Sequence, residues 1–466
     1  MRFIREDVLR LTGPIVVEQV LIVLMGVINA IMAARIGSKA VSGIGMVDSI
    51  NNVFIVFISA LAVGSTVVVA QYIGHGDTEK ANETAKQGLL SGSLITIVIT
   101  ILLFALRYSV LVTLYSSAEP EVIAYANTYF SITIFSYPFI AISTIACGTL
   151  RGAGDTKSPM QITLLMNLIN IVLSYILIYG IDFSILGLKI LFEGYKVKGA
   201  AIGITISRLI GAVLSLFVII RGSKTLKFGN IRKLKDLKIN IELQKYIFGV
   251  GIPASVESLL FQGGKLIVQV FIVGMGTIAI TANYVANSIF TLINIPGSAF
   301  SIAATTLVGQ FMGKNDKDGA ESVLIYLTKL TSLALFIICA VTLPLTDFLS
   351  SLYSDVEEVI KISSDILRVN AIIMPIIWAT SFIIPAGLKG AGDARFTMIT
   401  SMICMWIFRI SCGYLFGVTL KLGVMGVWIG MYTDWIVRTT VYILRLKSGK
   451  WKSNVVVKLE EQPKSY

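Results

Sequence analysis

The chain has 466 residues, of which 55% are hydrophobic and 14% are charged, whereas about 25% of the residues in an average soluble domain are charged. Apolar runs of about 20 residues recur from end to end, and each is long enough to cross a bilayer as a helix. The composition therefore predicts a membrane protein, and it argues against a soluble enzyme, a nucleic-acid-binding protein and a disordered scaffold. The formal net charge is +12, and its meaning depends on which side of the membrane the Lys and Arg residues lie.

The apolar runs predict twelve transmembrane helices, since a helix satisfies its own backbone hydrogen bonds inside lipid. In chain order the predicted spans are 11–34, 46–72, 87–106, 123–150, 158–179, 200–220, 247–273, 280–308, 323–345, 366–388, 396–418 and 424–444. Most of the 39 Lys and Arg residues fall on the side that holds both termini, which the positive-inside rule assigns to the cytoplasm. We expect an all-α, multi-pass protein of a bacterial cell membrane with both termini in the cytoplasm.

A set of residues recurs 239 positions later in the same order, which indicates an internal duplication. Pro14, Glu18, Gly37, Ser49, Gln71, Gly74 and Asp77 return as Pro253, Glu257, Gly276, Ser288, Gln310, Gly313 and Asp316. Each half has six predicted spans, so both halves begin on the same side and the repeats run parallel, as in transporters that bind a solute between two lobes. The alternative is a duplicated structural bundle without transport.

The repeat sets the expected domain boundaries. They are an N-terminal six-helix lobe at 1–222, a basic cytoplasmic linker at 223–245, a C-terminal six-helix lobe at 246–446 and a cytoplasmic tail at 447–466. Anionic lipid at the inner leaflet accounts for the basic linker and tail. Membrane lipid is therefore an expected partner, and nucleic acid is not.

Acidic groups inside the spans are candidates for ion coupling, because an ionisable group in a membrane is costly and tends to face a wet cavity. Glu18 and Glu257 are related by the repeat, and Asn29 returns to nearly the same face of the first span as Glu18. Asp434 is a further candidate, although it precedes Arg438 by four residues, a spacing that favours an ion pair within the helix. The structural alternative is that each glutamate accepts hydrogen bonds that tie its lobe together.

Cations inside the spans are candidates for the substrate cavity. Lys265 lies eight residues after Glu257, which predicts an interaction between these two side chains. Arg208 and Arg409 have no acid at helical spacing. They could pair with Asp434 or Glu257 across helices, contact backbone carbonyls or line a path for an anionic solute.

Large side chains in the spans could complete an adaptable apolar cavity, with packing or lipid contact as the alternative. The residues selected are Met25, Phe261, Gln262 and Trp378.

A second repeated motif lies between the fourth and fifth spans of each half. The segment Arg151–Thr156 reads RGAGDT, and Lys389–Ala394 reads KGAGDA. We expect tight turns with a role in gating, and the candidate residues are Gly152, Gly154, Asp155, Gly390, Gly392 and Asp393. The pattern of a phosphate-binding P-loop is missing, so ATP is not expected to drive the protein.

No enzyme chemistry is predicted. The four cysteines lie in apolar stretches without metal-ligand spacing, and His75 is the single histidine, so neither a metal site nor a catalytic triad is expected. We predict no catalytic residue and no cofactor. The only ion expected is Na⁺ or H⁺ as the coupling ion.

Together these features resemble the multidrug and toxic compound extrusion (MATE) family, over about residues 8–446. The resemblance is carried by the Pro14–Gly37 segment, the Gln71–Gly74 and Gln310–Gly313 motifs, and the paired LRGAGD and LKGAGD sequences. It implies a V-shaped pair of six-helix lobes. It also implies export of amphipathic, cationic drugs or metabolites in exchange for Na⁺ or H⁺ by alternating access. We expect the protein to be a monomer.

The chain departs from the family at the coupling positions. The family commonly has an aspartate in the first helix in a pattern like VDTxM, where this chain has Asn29. A second branch uses a glutamate on helix seven and an aspartate on helix ten. Here Glu257 lies about one turn early, and the tenth span, 366–388, contains no acid. In-span cations would also repel a cationic substrate, which keeps open an alternative function as a flippase of lipid-linked or anionic metabolites with a related fold.

Overall fold

A computed structural model describes residues 2–116, 118–185, 188–222, 226 and 238–457, without the side chains of 2–7 and 181–191. Residues 223–225 and 227–237 of the predicted basic linker lie outside the described residues, as do residues 458–466 of the predicted tail.

The described residues of the first half form seven helices. They are α1 (Arg2–Ala34), α2 (Ser38–His75), α3 (Thr78–Leu114), α4 (Pro120–Thr133), α5 (Tyr137–Gly152), α6 (Lys157–Tyr179) and α7 (Val197–Arg221). A short 3₁₀ turn, Ile134–Ser136, joins α4 to α5, so these two helices form one span, Pro120–Gly152.

The second half repeats this order with more breaks. Its helices are α8 (Ile241–Val273), α9 (Thr277–Ile293), α10 (Ile295–Gly313), α11 (Lys317–Thr342), α12 (Thr346–Ser351), α13 (Glu357–Gly390), α14 (Ala394–Ile403), α15 (Ile410–Tyr414) and α16 (Gly423–Lys447). Two π-helical segments, Cys404–Arg409 and Leu415–Thr419, flank α15.

Each of the twelve predicted spans coincides with a helix or a broken helix of the described chain. Ten helices in that part of the chain are long and apolar enough to cross a membrane, and α9 with α10 forms an eleventh span that bends by 51°. The twelfth predicted span, 424–444, coincides with α16, which has 25 residues and contains the charged pair Asp434 and Arg438 and is not among these ten or eleven apolar spans. The structure thus supports the all-α membrane fold predicted from the sequence.

A two-stranded hairpin between α6 and α7 was not predicted. Strands β1 (Gly180–Ile185) and β2 (Leu188–Glu193) pair antiparallel, with Gly180 opposite Glu193. The connection lies outside the predicted spans, where water can satisfy backbone groups and a helix is no longer required.

The chain forms two compact units. The C-terminal unit contains Met1–Gln19, Ala70–Asp77 and Tyr246–Tyr466, and the N-terminal unit contains Val20–Val69 and Thr78–Lys245. These units differ from the boundaries expected from the repeat, because the start of α1 and the end of α2 group with the second half. Ile15 of α1, for example, packs against Ala299 and Ala303 of α10.

The end of α2 and the end of α10 cross at a pair of glycines inside the C-terminal unit. A side-chain carbon at Gly74 would collide with the carbonyl oxygen of Gln310, and one at Gly313 would collide with the carbonyl oxygen of Gln71. Close backbone contact through small residues is the usual way that helices associate in lipid. The repeated Gln-x-x-Gly motif therefore marks a reciprocal helix crossing.

We predict that Gly74→Ala lowers the stability of the protein by about 1–3 kcal/mol, because the added methyl group overpacks the crossing. Gly249→Ala, on α8 with nothing within 4 Å of the added carbon, is the matched control. Thermal unfolding of both purified variants in detergent measures the effect. Equal stability of the two variants would show that the crossing tolerates a side chain.

Candidate functional site

Several charged side chains inside the spans form two clusters, one in each unit. In the C-terminal unit they surround Phe261, and we call Lys265, Arg409, Asp434 and Arg438 the C-terminal charge cluster. In the N-terminal unit, the N-terminal polar cluster comprises Asp48, Asn51, Tyr129, Ser136, Tyr137 and Arg208. Both clusters are built from several helices, so neither could be deduced from local spacing alone.

The ion pair predicted within α16 is confirmed. Arg438 Nη2 lies 3.1 Å from Asp434 Oδ1, and Arg438 Nε donates to the same oxygen at 3.3 Å. Both residues are buried, with 0% of Asp434 and 3% of Arg438 exposed. Such burial is tolerated because the two charges compensate each other through several hydrogen bonds.

Arg409 approaches the same carboxylate from the neighbouring span. It is the last residue of the π-helical segment Cys404–Arg409, and its Nη1 lies 3.7 Å from Asp434 Oδ2. Of the three alternatives for Arg409, the structure therefore shows a cross-helix contact with Asp434. Its buried Nε atom has no hydrogen-bond partner within the part of the chain that the structure describes.

The aromatic ring of Phe261 lies among three cations. Lys265 Nζ is 5.1 Å from the ring centroid, and the guanidinium carbons of Arg409 and Arg438 are each 5.6 Å from it. Cations at these distances are attracted to the ring face. The structure thus brings together Phe261, Lys265 and Arg409, three residues selected from the sequence as cavity candidates.

The other cavity candidates lie elsewhere. Trp378 is 4% exposed and belongs to the hydrophobic core of the C-terminal unit, where its ring stacks on Phe382 with 4.7 Å between centroids. Its packing role thus has direct support. Gln262 is half-buried on α8, and Met25 is half-buried on α1 in the N-terminal unit.

Glu257 does not pair with Lys265, and that expectation was wrong. The Glu257 carboxylate instead lies 3.0 Å from Lys389 Nζ and accepts a hydrogen bond of 2.8 Å from Ser401 Oγ. Eight residues separate Glu257 from Lys265 by about 12 Å along a helix, and Lys389 at the end of α13 is the nearer cation. Glu257 therefore connects α8 to α13 and α14.

Ser401 joins this ion pair to the C-terminal charge cluster. It donates to Glu257 and accepts a hydrogen bond of 3.3 Å from Arg438 Nη1. Two coupling candidates, Glu257 and Asp434, therefore belong to one connected network. Glu18, by contrast, is 3% exposed on α1 in the same unit, and Asn29 is half-buried on α1 in the N-terminal unit.

Arg208 lies in the N-terminal polar cluster, away from the partners suggested for it. Its Nη1 donates to Ser136 Oγ at 2.8 Å, and its charge interacts electrostatically with Asp48. The suggestion that Arg208 pairs with Asp434 or Glu257 is therefore replaced by an interaction with Asp48 in its own unit.

Asp48 is a functional candidate that the sequence analysis missed. Tyr129 Oη donates to Asp48 Oδ1 at 3.3 Å, and Tyr137 Oη donates to Asn51 Oδ1 at 2.7 Å. The two tyrosines are buried, whereas Asp48 is exposed. The available signal was an acidic residue just inside the predicted span 46–72.

Both GAGD segments form the predicted tight turns. Gly154 and Gly392 have φ angles of +86° and +99°, a region that favours glycine. In the first turn, Asp155 accepts hydrogen bonds from the backbone N and the Oγ of Ser158 at 3.1 and 2.7 Å. Gly152 is the last residue of α5, so this turn leads directly into α6.

The second turn is fastened to the end of α16 and to the described part of the tail. Asp393 accepts hydrogen bonds from Arg445 at 2.8 and 3.0 Å and from Asn454 at 2.8 Å. Gln71 Nε2 donates to the Gly390 carbonyl at 3.0 Å. Asp393 and Gly390 therefore hold together elements that are far apart in the sequence.

The tail folds back on its unit beyond α16. Trp451 is fully buried, and Val456 N donates to Gln71 Oε1 at 3.0 Å. Lys452 lies 2.6 Å from Glu321 and 3.0 Å from Asp318, and hydrogen bonds to these two carboxylates raise the pKa of Lys452. The described tail is thus an ordered part of the C-terminal unit.

A family model named MatE matches residues 14–176 and again residues 253–415. The two matches are 239 residues apart, so they reproduce the repeat found in the sequence. The chain belongs to the MATE family.

Relatives and solved structures are similar to this MATE protein over nearly its whole length. The "Probable multidrug resistance protein NorM" of Thermotoga maritima is 28% identical over 98% of this chain and 95% of its own length. The "Uncharacterized transporter YisQ" of Bacillus subtilis is 28% identical over 95% of this chain and 94% of its own.

Among solved structures, one described as an "Outward-facing conformation of a multidrug resistance MATE family transporter of the MOP superfamily" has a TM-score of 0.85. It is 20% identical, over 96% of both chains. A MOP superfamily transporter from Pyrococcus furiosus has a TM-score of 0.86 at 21% identity, over 96% of this chain and 95% of its own. That structure is described with the words "Reverse polarity of binding pocket suggests different function". The protein is thus a transporter of the cell membrane with the MATE fold, and it is not an enzyme.

We predict that Asp393→Asn loosens the attachment of the tail. Hydrogen bonds to a charged group contribute about 1.5–3 kcal/mol, so the variant should unfold more easily and trypsin should cleave faster after Lys450 and Lys452. The control is Asp365→Asn, whose half-exposed ion pair with Arg368 should contribute about 0–1 kcal/mol. The measurements are unfolding in detergent and timed proteolysis. If the two variants behave alike, Asp393 does not fasten the tail.

Proposed function

We propose that this MATE protein is a secondary-active exporter of amphipathic organic small molecules, driven by the entry of Na⁺ or H⁺ through alternating access. The observation that carries the proposal is the exposed carboxylate of Asp48 inside a membrane span, because such groups mark ion or substrate pathways. The name of the Thermotoga maritima relative, a multidrug resistance protein, supports the proposal. We further propose that the protein works as a monomer in the lipid bilayer.

Asp48 has suitable surroundings for binding a small cation. It lies ten residues after the start of α2 at Ser38, or about 15 Å along the helix, and just inside the predicted span 46–72. Tyr129 and Asn51 donate to the same carboxylate oxygen, at 3.3 and 3.5 Å. A carboxylate can take up either a proton or a hard cation, which prefers oxygen ligands.

Arg208 supplies an internal counter-ion for Asp48. Both residues belong to the N-terminal unit, and their charges interact. The charge of Arg208 offsets part of the charge of the carboxylate while no cation is bound, which lowers the cost of holding a charge inside the membrane. An incoming Na⁺ or H⁺ then competes with Arg208 for Asp48, so ion uptake changes the electrostatics of this unit.

The four coupling groups proposed from the sequence remain alternatives to Asp48. Glu257 and Asp434 each form a close salt bridge, at 3.0 and 3.1 Å, which favours a structural role for both, whereas Asp48 has no such close pair among the described residues. Glu18 is buried on α1, and Asn29 cannot ionise. These differences favour Asp48 as the principal coupling carboxylate.

A second function has specific support. The C-terminal charge cluster has more cations than acids, which favours an anionic or lipid-linked metabolite as the solute. The Pyrococcus furiosus transporter with a similar fold is described as having a binding pocket of reversed polarity that suggests a different function. This supports a flippase of such metabolites as the alternative to drug export.

We predict that the protein moves amphipathic probes across proteoliposome membranes only when an ion gradient is imposed. Cationic, neutral and anionic fluorescent amphiphiles are tested under separate Na⁺ and H⁺ gradients. Asp48→Asn should reduce gradient-driven movement at least tenfold, because an amide cannot exchange the ion. Asp365→Asn, on the surface, should behave like the wild type.

Glu257→Gln serves as the comparison. If it abolished gradient dependence while Asp48→Asn retained it, the coupling role would belong to Glu257. If no probe moved under either gradient with folded wild-type protein, ion-driven export would be rejected.

A further inference from the structure

We propose that the C-terminal charge cluster binds the carboxylate or phosphate group of an amphipathic organic anion. Lys265 and Arg409 would hold the anionic group, and Phe261 would pack against the apolar part of the molecule. This names the substrate class of the exporter and therefore rests on the function proposed above.

The charges around Phe261 do not balance. Three cations, Lys265, Arg409 and Arg438, lie within 5.1–5.6 Å of its ring centroid, and Asp434 is the one carboxylate that contacts any of them among the described residues. Three positive charges against one negative charge leave an excess of two. A bound anion would offset this excess.

The Asp434 carboxylate is paired with Arg438. The two side chains make three contacts of 3.1–3.4 Å, whereas Arg409 comes no closer to the carboxylate than 3.7 Å. Lys265 has no acidic partner within the described chain, and Glu257 is held by Lys389. The two cations available to a ligand are thus Lys265 and Arg409.

Balanced ion pairs elsewhere in the same unit show what a purely structural arrangement looks like. Asp393 and Arg445 approach to 2.8 Å, and Glu257 and Lys389 approach to 3.0 Å, with one cation for each acid. Removing Lys265 from the cluster would break no such pair. Since unpaired charge in a membrane is costly, an exposed and unneutralised lysine beside Arg409 indicates a ligand.

The donors at the site suit an oxyanion. Lys265 is exposed on α8 and offers three N–H donors, while the planar guanidinium of Arg409 matches the two oxygens of a carboxylate or phosphate. The buried Nε of Arg409 also has no hydrogen-bond partner in the described structure. The site thus has unused hydrogen-bonding capacity as well as excess charge.

Local packing holds the two cations close to Phe261. Phe261 and Lys265 are four residues apart on α8, and therefore on one face. A side-chain carbon at Gly264 would lie 2.5 Å from Cε of Met405, and Trp406 Nε1 donates to the Leu260 carbonyl at 3.2 Å. The π-helical segment that ends at Arg409 is thus pressed against α8, and π-helical bulges often occur at functional sites.

The test measures equilibrium binding rather than transport. Wild-type protein in nanodiscs of phosphatidylcholine is titrated with the fluorescent probe 11-(dansylamino)undecanoate and with its uncharged methyl ester. We expect the acid to bind at least tenfold more tightly than the ester. Lys265→Gln should remove most of this difference, and Lys265→Arg should restore it.

Lys421→Gln is the matched control. Lys421 lies in the same unit near Phe271 and Tyr414, outside the cluster, so its replacement should leave acid binding unchanged. The proposal is overturned if the acid and the ester bind wild-type protein equally. It is also overturned if neither binds, or if Lys265→Gln weakens both to the same extent.

Competition then identifies the source of the anion. Two competitors are compared, dioctanoyl phosphatidylglycerol and unlabelled undecanoate. If the phosphatidylglycerol displaces the probe at lower concentrations than undecanoate does, a lipid phosphate is the occupant. If undecanoate displaces the probe at lower concentrations, the occupant is a soluble carboxylate. No gradient is involved, so acid-selective binding in a protein that fails the transport test would support the site and reject export. Transport without acid-selective binding would reject the site alone.

Discussion

The crossing of α2 and α10 is the constraint on which the rest of the C-terminal unit depends. Lipid offers no hydrophobic driving force between helices, so their association relies on close packing and polar contacts. Gly74 and Gly313 allow each backbone to touch the carbonyl of a glutamine on the other helix. Gln71 is fully buried there, and its side chain bonds to Gly390 of the second GAGD turn and to Val456 of the tail. One side chain thus fixes the crossing, the turn and the tail to each other.

Charged side chains of the described chain are of two kinds, closely paired and exposed without a close pair. Near the second GAGD turn, Asp393 and Glu257 each have a cation within 3.0 Å, so these pairs connect helices without leaving net charge. Lys265 and Asp48, by contrast, are exposed, and neither has so close an ion pair in the described structure. The close ion pairs connect helices and stabilise the fold. The exposed groups, Asp48 and Lys265, are the ones able to respond to an ion or a solute.

Sequence patterns predicted most of the fold and part of the site. Hydropathy gave the spans, since a lipid environment leaves the backbone few alternatives, and helical spacing gave the Asp434–Arg438 pair. Contacts between distant segments, such as Glu257 with Lys389, depend on packing and cannot be read from spacing. Asp48 was missed because it lies at the edge of its predicted span and its repeat position, 239 residues later, is Asn287. The hairpin between α6 and α7 was missed because it lies outside the spans, where hydropathy does not predict the secondary structure.

The proposed division of charge between the two units has an energetic consequence for transport. A cation that enters through Asp48 and an organic anion that leaves through Lys265 and Arg409 both carry positive charge inward. A cell interior that is negative by 100 mV contributes about 2.3 kcal/mol for each such charge, so the membrane potential favours both movements. Export of a cationic drug would instead work against the potential and past a positively charged cluster. On this physical ground, an anionic solute is the better match for the charges of this protein.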